Sequence, residues 1–263
     1  MPTWDPSLYL KFGDERTQPC RDLVHRIPLQ APARIVDLGC GPGNSTAVLA
    51  GRWPGAQITG MDSSADMLVS AKKLLPEVTW EQGDISTWTS TSTPGTGLPD
   101  LVFSNAALQW VGNHPLLLPH LVEQVAPGGI LAVQVPANIN APAHVIMREM
   151  ANSAVWRSHF PSASVRDWHV HEPGFYYDIL APLSARLDLW VTEYMMFPTG
   201  PEGIVQWYQG TGLRPYLDAL PDDELRRIFL ADYLAEIAIT YPTRANGHVE
   251  FPFRRLFFIA QRR

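Results

Sequence analysis

The first 136 residues alternate short apolar runs with segments whose apolar positions recur every three or four residues. Five runs read as strands: Arg34 to Leu38, Gln57 to Asp62, Val78 to Gly83, Asp100 to Asn105 and Ile130 to Val135. Helical patterns lie between them at Asn44 to Trp53, Ala65 to Leu75 and around Pro115 to Val125. Near-continuous apolar strands alternating with helices predict an α/β fold: a mostly parallel sheet covered on both faces and wound by right-handed crossovers. The stretch Ser90 to Pro99, rich in Ser, Thr, Gly and Pro, reads as a surface connector.

After Pro136 the rhythm changes. Pro142 to Ser153, Gly203 to Tyr216 and Asp222 to Tyr241 read as helices, and Trp156 to Tyr177 has no clear period. Arg186 to Met195 and Leu256 to Gln261 read as strands that return to the sheet edge as an antiparallel pair. The intervening helices are expected to form a cap over the ligand edge. At the start of the chain, Asp5-Pro6 supplies an N-cap and a first-turn proline. Tyr9, Phe12 and Arg16 follow at helical spacing, with Gly13 expected to interrupt the helix. This segment reads either as a lid over a ligand or as ordinary packing on the core. The expected organisation is therefore a lid over 1–29, a core over 30–136, and cap helices plus the last two strands over 137–263, in one domain.

Composition narrows the class. Hydrophobic residues make up 46% of the 263 and charged residues 17%, which suits a packed core and excludes a disordered chain. The net charge is −6 and no long Lys/Arg block occurs, so no nucleic-acid partner is expected. Two cysteines, Cys20 and Cys40, make no disulfide scaffold. No signal-peptide pattern and no apolar run of about 18 residues is visible, so the expected setting is cytoplasmic with no membrane contact. His120, His169 and His171 lack metal-ligand spacing, so no metal is expected.

The strongest local signal is Asp37-Leu38-Gly39-Cys40-Gly41-Pro42-Gly43-Asn44, which follows a strand and opens a helix. Its glycines alternate, and a carboxylate stands two residues before the first. A dinucleotide fingerprint would need its third glycine at Asn44, and its pyrophosphate would be repelled by Asp37. The acid instead suits a ligand ammonium. Asp62, with Ser63 beside it, ends the second strand, where a carboxylate accepts from a ribose diol. Asp84-Ile85 follows the third strand and suits an adenine edge and ring. Met67 is placed for the other ring face or for the helix core. Asn105-Ala106 ends the fourth strand at the switch point of the sheet, and Gln109-Trp110 follows. Trp110 suits either a cationic sulfur or packing.

This succession over residues 30–136 resembles the class I S-adenosylmethionine-dependent methyltransferases. The resemblance implies a Rossmann-like, seven-stranded, mostly parallel sheet, with S-adenosyl-L-methionine as cofactor and S-adenosyl-L-homocysteine as product. The implied cofactor set is Arg16, Asp37, Gly39, Gly41, Asn44, Asp62, Ser63, Met67, Asp84, Ile85, Asn105, Ala106, Gln109 and Trp110.

A longer resemblance rests on Trp4 to Leu10, Asp37 to Ala47, Arg52-Trp53-Pro54 and Leu108-Gln109-Trp110. It continues through Met147-Arg148-Glu149, Tyr176 to Leu180, Thr211 to Pro215 and Arg255-Leu256-Phe257. These segments look like the trans-aconitate 2-methyltransferase family, whereas Ser90 to Gly97 and Ala154 to Val170 depart from it. The resemblance implies monomethyl esterification of a small tricarboxylic acid, by a monomer or weak homodimer. No catalytic base is needed, because an ionised carboxylate is already nucleophilic. Its charges call for arginine forks. Arg148 lies four residues after His144 on one helix face, and Arg214 and Arg254 are further candidates. Each arginine also reads as an ordinary surface charge. Tyr9, Phe12, Gln134, Tyr176, Tyr177 and Trp207 complete the expected acceptor set, with core packing as the other reading of the aromatics. Rival functions are methylation of another small acid, methylation at carbon, a nicotinamide-dependent oxidoreductase, and a binding module without turnover.

Overall fold

The computed structural model describes residues 13–90, 97–160 and 168–263, with side chains from residue 17 onward. Helix α1 spans Gly13–Arg26. The core follows as β1 Arg34–Leu38, α2 Asn44–Arg52, β2 Gln57–Asp62, α3 Ala65–Leu74, β3 Thr79–Gln82 and β4 Leu101–Asn105. A 3-10 turn at Leu108–Trp110, α4 His114–Glu123 and β5 Ile130–Pro136 come next. Then follow α5 Pro142–Asn152, α6 Pro173–Leu180, β6 Ser184–Met196, α7 Gly200–Gln209, α8 Arg214–Ala219, α9 Asp223–Thr240 and β7 Phe251–Arg262.

The seven strands form one sheet in the order β3-β2-β1-β4-β5-β7-β6. The pairs from β3 through β5 are parallel, and β7 runs antiparallel to β5. The chain reverses its direction of winding at β1 and β4, the switch point where ligands bind in open α/β sheets. Strands β1, β4 and β5 are buried almost throughout, whereas the edge strand β3 is largely exposed. That gradient explains why the central strands read as unbroken apolar runs.

Two compact units can be distinguished. The first comprises Arg16–Pro136, Trp168–Thr192 and Arg255–Arg263. The second comprises the described parts of Met1–Glu15 and Ala137–Asp167 together with Glu193–Arg254. Its core gathers Met147, Trp156, Phe160, Tyr208, Phe229 and Tyr233. Two of its buried tyrosine hydroxyls are matched to one backbone unit: Tyr233 donates its hydroxyl to the Ala143 carbonyl, and Tyr241 accepts from the Ala143 N–H.

Two expectations need correction, and one helix had no reading in the sequence. Helix α1 starts at Gly13 and runs through Pro19. Cys20, Leu23, Val24 and Ile27 recur at helical spacing and are all buried, so one apolar stripe outweighs the proline. The guanidinium of Arg52 donates to the carbonyls of Val24 and Ile27 at the end of α1. The helix read over Gly203 to Tyr216 is two, because the chain breaks at 210–213 and Pro215 starts α8, where its missing N–H costs nothing. The last strand starts at Phe251 rather than Leu256: Phe251 and Phe253 are buried while Pro252 and Arg254 are half-buried, a period of two that Pro252 obscures. The expected lid residues 1–12, the connector at 91–96 and residues 161–167 lie outside the described residues.

Candidate active site at the strand tips

The glycine loop joins β1 to α2, and its backbone is held from within. The N–H groups of Gly39 and Cys40 both donate to the Met61 carbonyl, and Gly43 N–H donates to the Cys40 carbonyl. Gly41 N–H donates to Asp62 Oδ2 at 2.9 Å. The other oxygen, Asp62 Oδ1, accepts from Ser64 N–H at 2.9 Å, and Ser64 caps α3. With these amides engaged inside the protein, the loop is no phosphate cradle. Gly39 has φ +72°, and a Cβ there would lie 2.2 Å from that of Ala107. Gly41 has φ +54°, yet a Cβ there would meet nothing within 4 Å. The first glycine is thus fixed by packing, and the second faces open space.

Asp37 is fully buried at the end of β1. Ser45 and Thr46 of α2 each donate a hydroxyl to its Oδ2 at 2.7 Å, while Oδ1 has no partner within the protein. Burial pushes its carboxyl up to about 6, against the pull of these two hydroxyls. Register aligns Asp37 with Phe103, and Asn105, two residues on, with Gln134. Residues in register, and those two apart, share one face of a sheet, so Asp37, Asn105 and Gln134 form a row across three strands. Asn105 Oδ1 and both polar atoms of the Gln134 amide are buried without partners. Gln109 adds another such oxygen: its Nε2 donates to the Ala106 carbonyl, and its Oε1 is unmatched. Leaving a buried polar group unpaired costs about 1–3 kcal/mol each by mutational measures. Their clustering at the switch point marks a place for a polar ligand. Because most of the unmatched atoms are oxygens, a ligand carrying positive charge fits best.

The remaining residues expected at the cofactor are spread around these tips. Ala106 adopts φ +55°, and its N–H donates to the Gln134 carbonyl. Asn44 opens α2 half-buried, and Ser63 is exposed. Met67 is half-buried, since Leu68 and Ala71 supply the buried face of α3. Ile85 is buried, with Cδ1 3.4 Å from where a Cβ on Gly39 would lie. Asp84 is exposed and its Oδ1 accepts from the N–H and hydroxyl of Ser86, which hold its carboxyl below the usual range. Trp110 packs edge-on against Trp168, with centroids 5.3 Å apart. The side chains of Tyr9, Phe12 and Arg16 lie outside the described residues.

Residues expected at the acceptor divide between the units. Gln134 and Tyr176 belong to the first, where Tyr176 is buried against Phe258 and bonded to His171 and His114. Tyr177 is 58% exposed. In the second unit Trp207 packs on Phe253 within the core. His144 is buried edge-on to Tyr208, with its imidazole pushed down to about 3 by burial and the nearby Arg148 charge. Arg148 donates to the Ile139 carbonyl at 2.6 Å, Arg214 lies 3.6 Å from Asp218, and Arg254 is half-buried. No sequence signal singles out Asn138, whose Nδ2 donates to the Tyr208 hydroxyl and whose buried Oδ1 is unmatched. Among the described residues no group of His, Cys, Asp and Glu could hold a metal, and no helix is long and apolar enough to cross a membrane.

This strand order, with a glycine loop after β1 and an acid ending β2, defines a class I methyltransferase fold. The family model for the methyltransferase domain matches residues 12–217. A trans-aconitate 2-methyltransferase of Azoarcus sp. (strain BH72) is 47% identical over 262 residues, covering all of both chains. The chain belongs to the trans-aconitate 2-methyltransferase family. Among solved structures, the YcgJ protein of Bacillus subtilis aligns at TM-score 0.59 and 13% identity, over 94% of this chain and 99% of that one. The plantazolicin methyltransferase BpumL, in complex with a triazolic desmethylPZN analog and SAH, aligns at TM-score 0.51 and 15% identity, over 98% and 91%. Both likenesses concern the fold.

Proposed function

We propose that the protein transfers a methyl group from S-adenosylmethionine to one carboxylate of trans-aconitate, giving the monomethyl ester and S-adenosylhomocysteine. The observation that carries the choice of acceptor is the end-to-end likeness to the Azoarcus enzyme, which extends well beyond the cofactor motifs.

The residues at the strand tips fit the donor. Asp37 Oδ1 and the amide oxygens of Asn105 and Gln109 are buried acceptors without partners, suited to an ammonium and a neighbouring cationic sulfur. Asp62, already fixed by two backbone N–H groups, has lone pairs left for a ribose diol. Gly41 leaves room for close approach. Ile85 offers an apolar surface for the adenine. When bound, the donor supplies an electrophilic methyl group on a cationic sulfur that leaves as a neutral thioether.

The protein's own work is then orientation and exclusion of water. An ionised carboxylate needs no general base before it attacks. Holding two reactants in line can contribute up to ~7–11 kcal/mol of the barrier. Arg148 and Arg214 are the arginines assigned to the acceptor carboxylates, and Gln134 supplies an amide that can donate and accept. Incubation with S-adenosylmethionine and a panel of trans-aconitate, cis-aconitate and isocitrate, read by mass spectrometry, tests the reading. A trans-aconitate monomethyl ester as the dominant product is expected; preferential methylation of another acid would overturn the acceptor, and no methylation with no SAH binding would overturn the function.

A further inference from the structure

His114 is a buried titratable residue that the reaction does not use. It stands at the start of α4, 1% exposed, in the first unit. Its Nε2 lies 3.1 Å from the Leu108 carbonyl, and its Nδ1 lies 3.4 Å from the Tyr176 hydroxyl. Tyr176 in turn accepts from the backbone N–H of His171 at 3.3 Å. For a neutral imidazole, which burial favours, these contacts set the tautomer. A carbonyl can only accept, so His114 Nε2 must carry the hydrogen and donate. Its Nδ1 is then an acceptor, and the Tyr176 hydroxyl must donate to it while its oxygen accepts from His171. The chain runs in one direction: His171 N–H to Tyr176, Tyr176 O–H to His114, His114 N–H to Leu108.

The far end of this chain is the turn after β4. Leu108 opens the 3-10 turn that carries Gln109 and Trp110, and Gln109 Oε1 is one of the unmatched oxygens at the strand tips. The same segment that holds His171 grips the turn again, since His169 N–H donates to the Gln109 carbonyl at 2.8 Å. Two hydrogen bonds on adjacent carbonyls, Leu108 and Gln109, therefore set where the Gln109 amide points. We propose that His114, oriented by Tyr176, is a positioning residue that places the post-β4 turn and its Gln109 side chain against the methyl donor. The inference rests on the methyltransferase reading of the site. Neutral imidazole is what the chain requires: an imidazolium would present a second N–H to Tyr176 and reverse the direction of that bond. Burial lowers the pKa of His114 most, with the charges of His171 and His169 adding to it, and together they outweigh the backbone carbonyls of Leu108 and Val111, which raise it.

The test compares His114→Gln with His114→Asn. Glutamine places an N–H donor near the position of Nε2 and can keep the bond to Leu108; asparagine is too short to do so. We expect His114→Gln to retain kcat within about threefold and His114→Asn to lose at least about tenfold, at unchanged KM for trans-aconitate, with similar melting temperatures. Long-range 15N–1H spectra of histidine-labelled full-length protein should show a neutral Nε2–H tautomer for the resonance that vanishes in His114→Gln. Tyr176→Phe should move its Nδ1 resonance downfield. Equal kcat in the Gln and Asn variants, loss that merely follows the melting temperature, or an Nδ1–H tautomer overturns the proposal. If wild-type protein methylates no trans-aconitate, the acceptor assignment fails separately, and the same comparison is read from SAH affinity by calorimetry.

Discussion

Asp62 holds the glycine loop by accepting the Gly41 backbone N–H at 2.9 Å, and the same carboxylate accepts from Ser64 at the start of α3. One side chain thus ties the tips of β1 and β2 to the helix that follows. Asp62→Ala removes both anchors and the proposed ribose acceptor together. Its affinity for S-adenosylhomocysteine, measured by calorimetry, is expected to fall at least about tenfold, or ~1.4 kcal/mol. Asp62→Asn keeps one acceptor oxygen and should fall between wild type and Ala. Unchanged affinity in Asp62→Ala would remove the residue from the site.

Gly39 and Gly41 separate folding from binding. Alanine at 39 would place a Cβ 2.2 Å from that of Ala107 at φ +72°, so the loop must shift. Gly39→Ala is expected to lower the melting temperature clearly. Alanine at 41 meets no protein atom, and its cost is the backbone conformation alone, about 1–2 kcal/mol. Gly41→Ala should therefore fold, as judged by circular dichroism, yet bind S-adenosylhomocysteine poorly. Tight binding by that variant would show that the open space is not the ligand's.

Asp37 couples stability and binding to pH in opposite senses. Its carboxyl is pushed up from 3.8 to about 6 in the folded protein, chiefly by burial. The folded chain then binds this proton more tightly than the unfolded one. Between about pH 4 and 6 the ligand-free protein should lose stability as pH rises, by up to ~3 kcal/mol from this group. A ligand ammonium beside Asp37 favours the ionised form, so affinity for S-adenosylhomocysteine should rise through the same window. Asp37→Asn should raise the ligand-free melting temperature at pH 8, weaken binding, and flatten both profiles. Thermal melts and titrations from pH 4 to 8 check each part.

Arg148 and Arg214 are expected to act on the acceptor and not on the donor. Each replaced by Met should raise KM for trans-aconitate by roughly 10- to 100-fold, matching ~1.5–3 kcal/mol for a hydrogen bond to a charged group. S-adenosylhomocysteine affinity should stay unchanged. Arg148 also donates to the Ile139 carbonyl, so its replacement should lower the melting temperature as well. Arg148→Lys keeps the charge and loses the planar fork, so a KM near that of Met would identify bidentate recognition. An unaltered KM in both Met variants would dissociate these arginines from the acid.

Much of this fold was legible from the chain. Strands β1 and β2 coincide with their apolar runs, and α2, α3 and α4 fall within two residues of their periodic patterns, because period and turn residues are local properties. The alternating glycines, with Asp37 before them and Asp62 closing β2, were readable for the same reason: each stands at the end of a strand whose limits are local. What failed was also instructive. Pro19 and Pro252 mask the pattern around them, yet each lies in a regular element held by its own buried apolar stripe. Tyr176 was placed by its sequence neighbours in a cap, whereas it sits in the first unit, bonded to His114.

The sequence by itself therefore determined the order of elements and the chemistry available at each strand end. Only the tertiary structure decided which of those ends share a face. The row Asp37, Asn105 and Gln134 depends on register between β1, β4 and β5, and the chain from His171 through Tyr176 and His114 to Leu108 joins segments more than 60 residues apart. Pairing of that kind is set by how whole sheets and helices pack, and no local pattern of residues encodes it.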